Sequence, residues 1–297
     1  MISVVIPLYN KQNSVVDTLR SVLRQSYPDF EIVVVDDGST DSSAAVVAEI
    51  ARSDDRIRII QKKNGGVSSA RNAGISEAKS EFIAFLDADD IWEPEYLAAQ
   101  HQLITDFPQA ALWGTAFGHI ADGQRYSNNF KLDEGYREIV TDYWSRKLYL
   151  YWTSAVVARK SALEAVGLFD ERISYGEDID VWYRLILNYQ AVFYNRTLAY
   201  YCFDAENRAM NKPIPKDKYL PFYIGKYAAY RSSNGEFRKY FDTECLNRIF
   251  PYYLHDKSDK DVLGVLREIN LSEFKFSMRW RFVFPGLYAL YRSLKKQ

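Results

Sequence analysis

Short β-branched and apolar runs alternate with amphipathic stretches over the first 90 residues of the chain. Ser3-Val4-Val5-Ile6, Glu31-Ile32-Val33-Val34-Val35, Arg56-Ile57-Arg58-Ile59-Ile60 and Glu81-Phe82-Ile83-Ala84-Phe85-Leu86 are short runs bounded by polar segments. Such runs predict strands buried on both faces. Helical signals fill the intervals, at Ser14 to Arg24, Ser42 to Arg52 and Ser68 to Ala78. The alternation predicts βαβ units and an α/β fold with a mostly parallel central sheet. Downstream, Ala110 to Phe117 and Ala155 to Arg159 predict further strands, and Glu177 to Tyr189 predicts a helix whose apolar face carries Ile179, Trp182, Leu185 and Ile186. Pro213 and Pro215 in a polar stretch mark a boundary. The expected organisation is a main domain, residues 1–212, with halves 1–90 and 91–212, followed by a helical, aromatic and basic extension, 213–297.

Composition narrows the partners. With 38 Lys and Arg against 39 Asp and Glu, the chain has no overall pull toward nucleic acid, so no nucleic-acid partner is expected. Cys202 and Cys245 stand far apart, which supports neither a disulfide framework nor a thiolate metal site and suggests a reducing compartment. Met1 leads directly into the first apolar run, without the charged start and apolar core of a signal peptide. No apolar run reaches the ~18 residues that a membrane span needs. A cytoplasmic location is therefore expected, with contact on the inner face of the plasma membrane left open.

Ligands of open parallel sheets bind at the carboxyl ends of the strands, so the loops that follow them carry the chemistry. Asp87-Ala88-Asp89-Asp90 leaves the fourth strand with acids two apart, and alternate residues of an extended chain point the same way. Such an oxygen set suits Mg²⁺ or Mn²⁺, which keep positions for water and phosphate. The same acids also suit a turn and helix cap before Glu93-Pro94-Glu95. Asp36-Asp37-Gly38-Ser39-Thr40-Asp41 follows the second strand, as a turn with a helix cap or as carboxylates facing a base or ribose. Asn64-Gly65-Gly66 through Arg71-Asn72 places glycines and Ser donors at a helix start that can face an anion. It has neither the Lys-Ser/Thr of a P-loop nor the spaced glycines of a dinucleotide fingerprint. Gly176-Glu177-Asp178 opens a later helix, where an acid either complements the helix dipole or serves as a proton acceptor.

In order, Ser3 to Asn10, Val35 to Asp41, Asn64 to Gly74, Phe85 to Asp90, and Gly167-Leu168-Phe169-Asp170-Glu171 with Gly176-Glu177-Asp178 resemble the motifs of glycosyltransferase family 2. The resemblance covers about the first 205 residues, and five motifs in one order are far more specific than any alone. It implies a GT-A type fold, with a nucleotide-binding half before an acceptor-binding half, and an inverting sugar transfer from a nucleotide-diphosphate donor, expected to be a UDP-sugar. Pro7, Tyr9, Asp36 and Asp37 would line the base and ribose pocket, Arg71 would approach the nucleotide or its diphosphate, and Asp87 would face the ribose or sugar. Asp89 would ligate Mn²⁺ or Mg²⁺, and Asp178 would be the general base. Where many relatives carry Tyr-Arg-x-His, this chain has Tyr201-Cys202-Phe203-Asp204, which offers Asp204 as a metal ligand in place of His.

The stretch from Phe274 to Lys296 is aromatic and basic, without an acid from Lys275 onward. It fits either an interfacial helix on anionic lipid, as a lipid-linked acceptor would favour, or a helix docking its aromatic face on protein. The acceptor is expected to be a glycan or a lipid-linked species in surface polysaccharide assembly. Two other functions compete. A sugar-nucleotide pyrophosphorylase would carry a Gly-rich, Arg- and Lys-bearing signature near Pro7 to Asn10, and an inactive nucleotide-sugar binding module would lose Asp89 or Asp178, both of which are present.

Overall fold

The computed structural model describes residues 1–146, 149–206 and 214–285. The chain divides into two compact units, Met1–Tyr143 with Leu148–Pro213, and Trp144–Lys147 with Ile214–Gln297. In chain order the elements are β1 (Ile2–Leu8), α1 (Val15–Leu23), β2 (Phe30–Asp36), α2 (Ser43–Ala51), β3 (Ile57–Gln61), α3 (Val67–Glu77), β4 (Phe82–Phe85), β5 (Ile91–Trp92) and α4 (Tyr96–Asp106). There follow β6 (Leu112–Ala121), β7 (Gln124–Ser127), β8 (Arg137–Ile139), α5 (Tyr143–Arg146), β9 (Val156–Arg159), α6 (Lys160–Ala165), α7 (Glu177–Asn188) and β10 (Ala191–Cys202). The later helices are α8 (Ala228–Ser233), α9 (Gly235–His255), α10 (Lys260–Glu268) and α11 (Phe276–Val283).

Among the described residues ten strands form one sheet in the order β3-β2-β1-β4-β9-β6-β10-β5, with β7 on β6 and β8 on β10. The pairings β3-β2, β2-β1, β1-β4 and β6-β10 are parallel, as the strand and helix alternation requires. β9 enters antiparallel between β4 and β6 and joins the two parallel parts. Val4, Val5 and Ile6 of β1 and Ile32 to Val35 of β2 are fully buried, so both faces of these strands are covered. One face of α1 supplies part of that cover, through Val15, Leu19 and Val22 at helical spacing.

Register determines where the loops emerge. Leu8 pairs with Asp36 and Val5 with Phe85, so Tyr9, Asp37 and the Asp87 to Asp90 loop leave the sheet at one edge. Helix α3 crosses β1 and β2 so closely that a Cβ on Gly74 would lie 2.3 Å from Val5 Cγ1 and 3.3 Å from Val35 Cγ2. That approach sets the height of Arg71, one turn earlier on the same helix.

In the second unit Phe237 and Phe241 of α9 pack with Tyr227, and Trp144 lies edge-on to Phe237 at 4.8 Å. A buried ion pair of Arg231 with Asp242, 2.7 Å, joins α8 to α9. Phe282 of α11 is buried against Phe250 and Tyr253, while Phe276, Val283 and Phe284 are exposed. Residues 286–297 of the basic segment lie outside the described residues. Among the described residues no helix is long and apolar enough to cross a membrane.

The close helix approach gives a first prediction. Gly74→Val must displace Val5 or lift α3, so it should destabilise the fold by ~1–3 kcal/mol, the usual cost of overpacking. Urea unfolding measures it, and an unchanged midpoint would show that α3 is not held against β1 through this contact.

Candidate active site

The edge where β1, β2 and β4 end collects carboxylates, and each has a defined partner. The first loop turns at Asn10, whose φ of 52° is left-handed, a conformation Asn adopts more readily than most residues. Asn10 binds the β2 loop through Ser39 Oγ, Thr40 N and Thr40 Oγ1, and Lys11 N donates to Ser43 Oγ at 2.8 Å. Asp36 is buried and accepts from Ser39 N at 3.0 Å. Asp37 is also buried, and its two oxygens accept from Gly65 N and Gly66 N at 2.9 and 2.8 Å. Lys62 Nζ completes its shell at 2.7 Å. The Asp37 carboxylate therefore fixes the glycine loop at the start of α3. Beside it, Pro7 is half-buried and Tyr9 exposes its ring.

Arg71 projects from α3 into the centre of the edge and is 3% exposed. One guanidinium nitrogen donates to Asp87 Oδ1 at 2.8 Å and the other to Glu177 Oε1 at 2.9 Å, while the Phe169 ring lies 5.3 Å away. Burial disfavours its charge, but Asp87, Glu177 and Asp178 together outweigh burial and raise its pKa. The same helix face clamps the segment before α7. Asn72 donates to Phe169 O and accepts from Phe169 N, and Ser68 Oγ donates to Ile173 O. The chain then turns through Gly176, at φ 81°, into α7.

Asp178 lies in the first turn of α7. One oxygen accepts from Ile179 N at 2.7 Å and the other from Thr153 Oγ1 at 2.9 Å. The next residue, Ser154, reaches the other side of the site. Its hydroxyl donates to Asp90 Oδ2 at 2.6 Å and accepts from Asp87 N at 3.1 Å. Asp90 is buried and also accepts from Cys202 N, and its pKa is raised well above the ordinary value by burial and by Asp89 and Asp87. It serves as a structural hub between β4, Ser154 and the end of β10. The dipeptide Thr153-Ser154 thus links Asp178 to Asp87 and Asp90.

Asp89 pairs with Lys11, Nζ to Oδ2 at 2.6 Å. Burial raises the Asp89 pKa and the Lys11 charge opposes the rise. The ammonium balances the charge of this carboxylate, and carboxylates such as Asp87 and Asp89 are the hard oxygen donors that Mg²⁺ or Mn²⁺ prefers. Among the described residues no three acidic, His or Cys side chains converge as a metal-binding group. A divalent ion here would need its remaining ligands from substrate phosphate and water, as such ions commonly take them. Asp204 is exposed in the turn after β10, where it accepts from Asp122 N at 3.2 Å.

The profile of Glycosyl transferase family 2 matches residues 3–167, more than half of the chain. The chain belongs to glycosyl transferase family 2. Among curated relatives, Glycosyltransferase GlyA of Streptococcus pneumoniae is 34% identical over 148 residues, 50% of this chain and 20% of that protein. Minor teichoic acid biosynthesis protein GgaA of Bacillus subtilis is 31% identical over 196 residues, 63% of this chain and 43% of that protein. The chain thus spans less than half the length of either relative. Among solved structures, S. aureus TarS 1-349 in complex with UDP-GlcNAc superposes with a TM-score of 0.70 at 21% identity, over 89% of this chain and 79% of that one. At that identity the likeness is one of fold, and it agrees with the GT-A type architecture expected from the motifs.

The edge brings together Asp87, Arg71 and Asp178 through Glu177, Thr153 and Ser154, and the neighbouring Asp89 is ion-paired with Lys11. Three members of it, Lys11, Thr153 and Ser154, were not singled out by sequence. Lys11 had a weak signal in adjoining the Tyr9-Asn10 motif, and Thr153-Ser154 had none.

Glu177 provides a pH test of the Arg71 bridge. Burial first, then the Asp178 charge, raise its pKa from 4.5 to about 7 against the pull of Arg71. The native state therefore holds this proton more tightly than the unfolded chain does. The resulting stabilisation is complete below about pH 4.5 and is lost as pH rises through about 7. The melting temperature of the wild type relative to Glu177→Gln should accordingly fall between about pH 5 and pH 8. A constant difference across that range would mean that Glu177 does not titrate there.

Proposed function

We propose that the chain is an inverting glycosyltransferase that moves a sugar from a UDP-sugar to an acceptor hydroxyl, in the assembly of a bacterial surface glycan. The observation that supports the reading is the Arg71 bridge, which ties Asp87, the residue expected to face the donor, to Glu177 beside Asp178 at the start of α7. Pro7, Tyr9, Asp36 and Asp37 border the place for the base and ribose, with Asp36 and Asp37 acting mainly by shaping the loops. Arg71 acts on the donor through Asp87, because both of its terminal nitrogens are committed to carboxylates.

Asp178 is the general base. Thr153 and Ile179 orient its two oxygens, so that one face of the carboxylate can meet an acceptor hydroxyl. In the ground state a carboxylate is a weak base toward an alcohol, but the acceptor oxygen becomes strongly acidic as it bonds to the anomeric carbon. The new bond forms as the bond to the diphosphate breaks, the proton passes to Asp178, and the electron pair leaves with the diphosphate. One displacement inverts the anomeric centre and needs no enzyme nucleophile. A divalent ion held by Asp89, with Asp204 as an additional candidate ligand, would stabilise charge on the departing diphosphate. The exposed Phe276, Val283 and Phe284 support peripheral contact with a membrane that presents a lipid-linked acceptor.

TarS, whose fold this chain shares, was solved in complex with UDP-GlcNAc, and this supports a UDP-sugar donor. GgaA, a teichoic acid biosynthesis protein, supports a surface-glycan context. Release of UDP from a UDP-sugar, rather than pyrophosphate or nothing, would separate transfer from pyrophosphorolysis and from binding alone.

The mechanism separates chemistry from binding by mutation. Asp178→Asn should lower kcat by about 10²–10⁴ while donor affinity stays within a few-fold. Asp89→Ala should weaken donor binding as well as turnover, and chelation should abolish transfer until Mn²⁺ or Mg²⁺ is restored. Near-normal kcat in Asp178→Asn would remove Asp178 from the chemistry, and full activity in chelator would remove the metal.

A further inference from the structure

We propose that Lys11 is the resident counter-cation of Asp89, that a divalent ion must displace it, and that the donor diphosphate is the partner to which it moves. The inference rests on the metal role given to Asp89 above. Lys11 Nζ lies 2.6 Å from Asp89 Oδ2, and the two side chains are only 12% and 13% exposed. A divalent ion sits ~2.0–2.6 Å from a carboxylate oxygen, so the ammonium nitrogen stands where the ion would stand. Two cations cannot share that oxygen at such a distance without strong repulsion.

The geometry also allows Lys11 to leave. Its backbone is fixed, because Lys11 N donates to Ser43 Oγ and the preceding Asn10 is tied to Ser39 and Thr40. Only the side-chain stem must swing. Apart from Asp89, the ammonium donates to the Glu206 carbonyl, a neutral acceptor. The Glu206 carboxylate in turn binds Asn13 N, Ser14 N and Ser14 Oγ at the start of α1, which keeps that carbonyl beside Lys11. A diphosphate entering this edge offers more negative charge than Asp89 alone, and a compact ammonium on a flexible stem is well suited to take it. Divalent ion and nucleotide then help one another bind, since each removes the competitor of the other, and the coupling is reciprocal.

The test uses Mn²⁺ as the ion and UDP as the nucleotide, with bound Mn²⁺ read from the loss of the free-ion EPR signal. The wild type should bind Mn²⁺ weakly alone and at least tenfold more tightly with saturating UDP. Lys11→Met should bind Mn²⁺ alone at least tenfold more tightly than the wild type, and UDP should add less. Under saturating Mn²⁺, UDP should bind Lys11→Met more weakly than it binds the wild type. Lys11→Gln, which keeps a polar side chain without the charge, should behave as Lys11→Met does, and thermal melts of both identify a variant that fails to fold. Equal Mn²⁺ affinity and equal UDP enhancement in wild type and variants, with binding lost in Asp89→Asn, would overturn the role of Lys11 and leave the metal role of Asp89 standing. Absence of Mn²⁺ binding at the protein even with UDP would overturn both.

Discussion

The buried guanidinium of Arg71 is the interaction on which the rest of the edge depends. It comes from α3, whose position follows from the contact of Gly74 with Val5 and Val35, and it reaches carboxylates in the loop after β4 and on α7 at once. A charge 3% exposed would be costly alone. Removing one partner of a buried pair typically destabilises by about 3–5 kcal/mol, because the remaining charge is left without compensation. Arg71, Asp87 and Glu177 therefore stand together, and the first turn of α7, with Asp178, is held at a fixed place relative to the Asp87 to Asp90 loop. Asn72 and Ser68 reinforce the same docking with neutral hydrogen bonds.

A second regularity follows from concentrating acids on one edge. Asp37 has Lys62, Asp87 has Arg71 and Asp89 has Lys11, each at 2.6 to 2.8 Å. Asp90, with no cation paired to it among the described residues, is pushed toward its neutral form and is held by Ser154 and Cys202 N. The pairs differ in permanence. Asp37 is closed in by two backbone N–H groups as well as Lys62, and Arg71 is clamped at both ends, so these two serve the architecture. Lys11 is tied to Asp89 by a flexible stem, and it is the partner an incoming anion can draw away.

Most of the first 90 residues was legible in the sequence because the signals there are local. β-branched and apolar runs marked β1 to β4, although β1 and β2 are buried almost throughout whereas β3, at the edge of the sheet, buries Ile57 alone. The acids after β2 and β4 fell on the edge where parallel strands end. What could not be read were the pairings across long separations, since composition and periodicity carry no information about which loops meet. Lys11 and Asp89 are 78 residues apart, and Arg71 and Glu177 are 106 apart. Asp37 shows the same limit in another form. Its turn sequence allowed either a loop anchor or a ligand contact, and the hydrogen bonds to Gly65 and Gly66 make it a loop anchor whatever it contributes to a nucleotide. The antiparallel insertion of β9 was also hidden, because a short buried strand looks alike in either direction.

If this edge performs a single displacement, the configuration of the sugar at the instant of release records it. Incubation of the protein with whichever α-linked UDP-sugar it cleaves, and with water as the acceptor, can be followed by proton NMR at the anomeric position before mutarotation mixes the products. Accumulation of UDP together with sugar released first as the β anomer is the predicted result. Release first as the α anomer would contradict the single-displacement account.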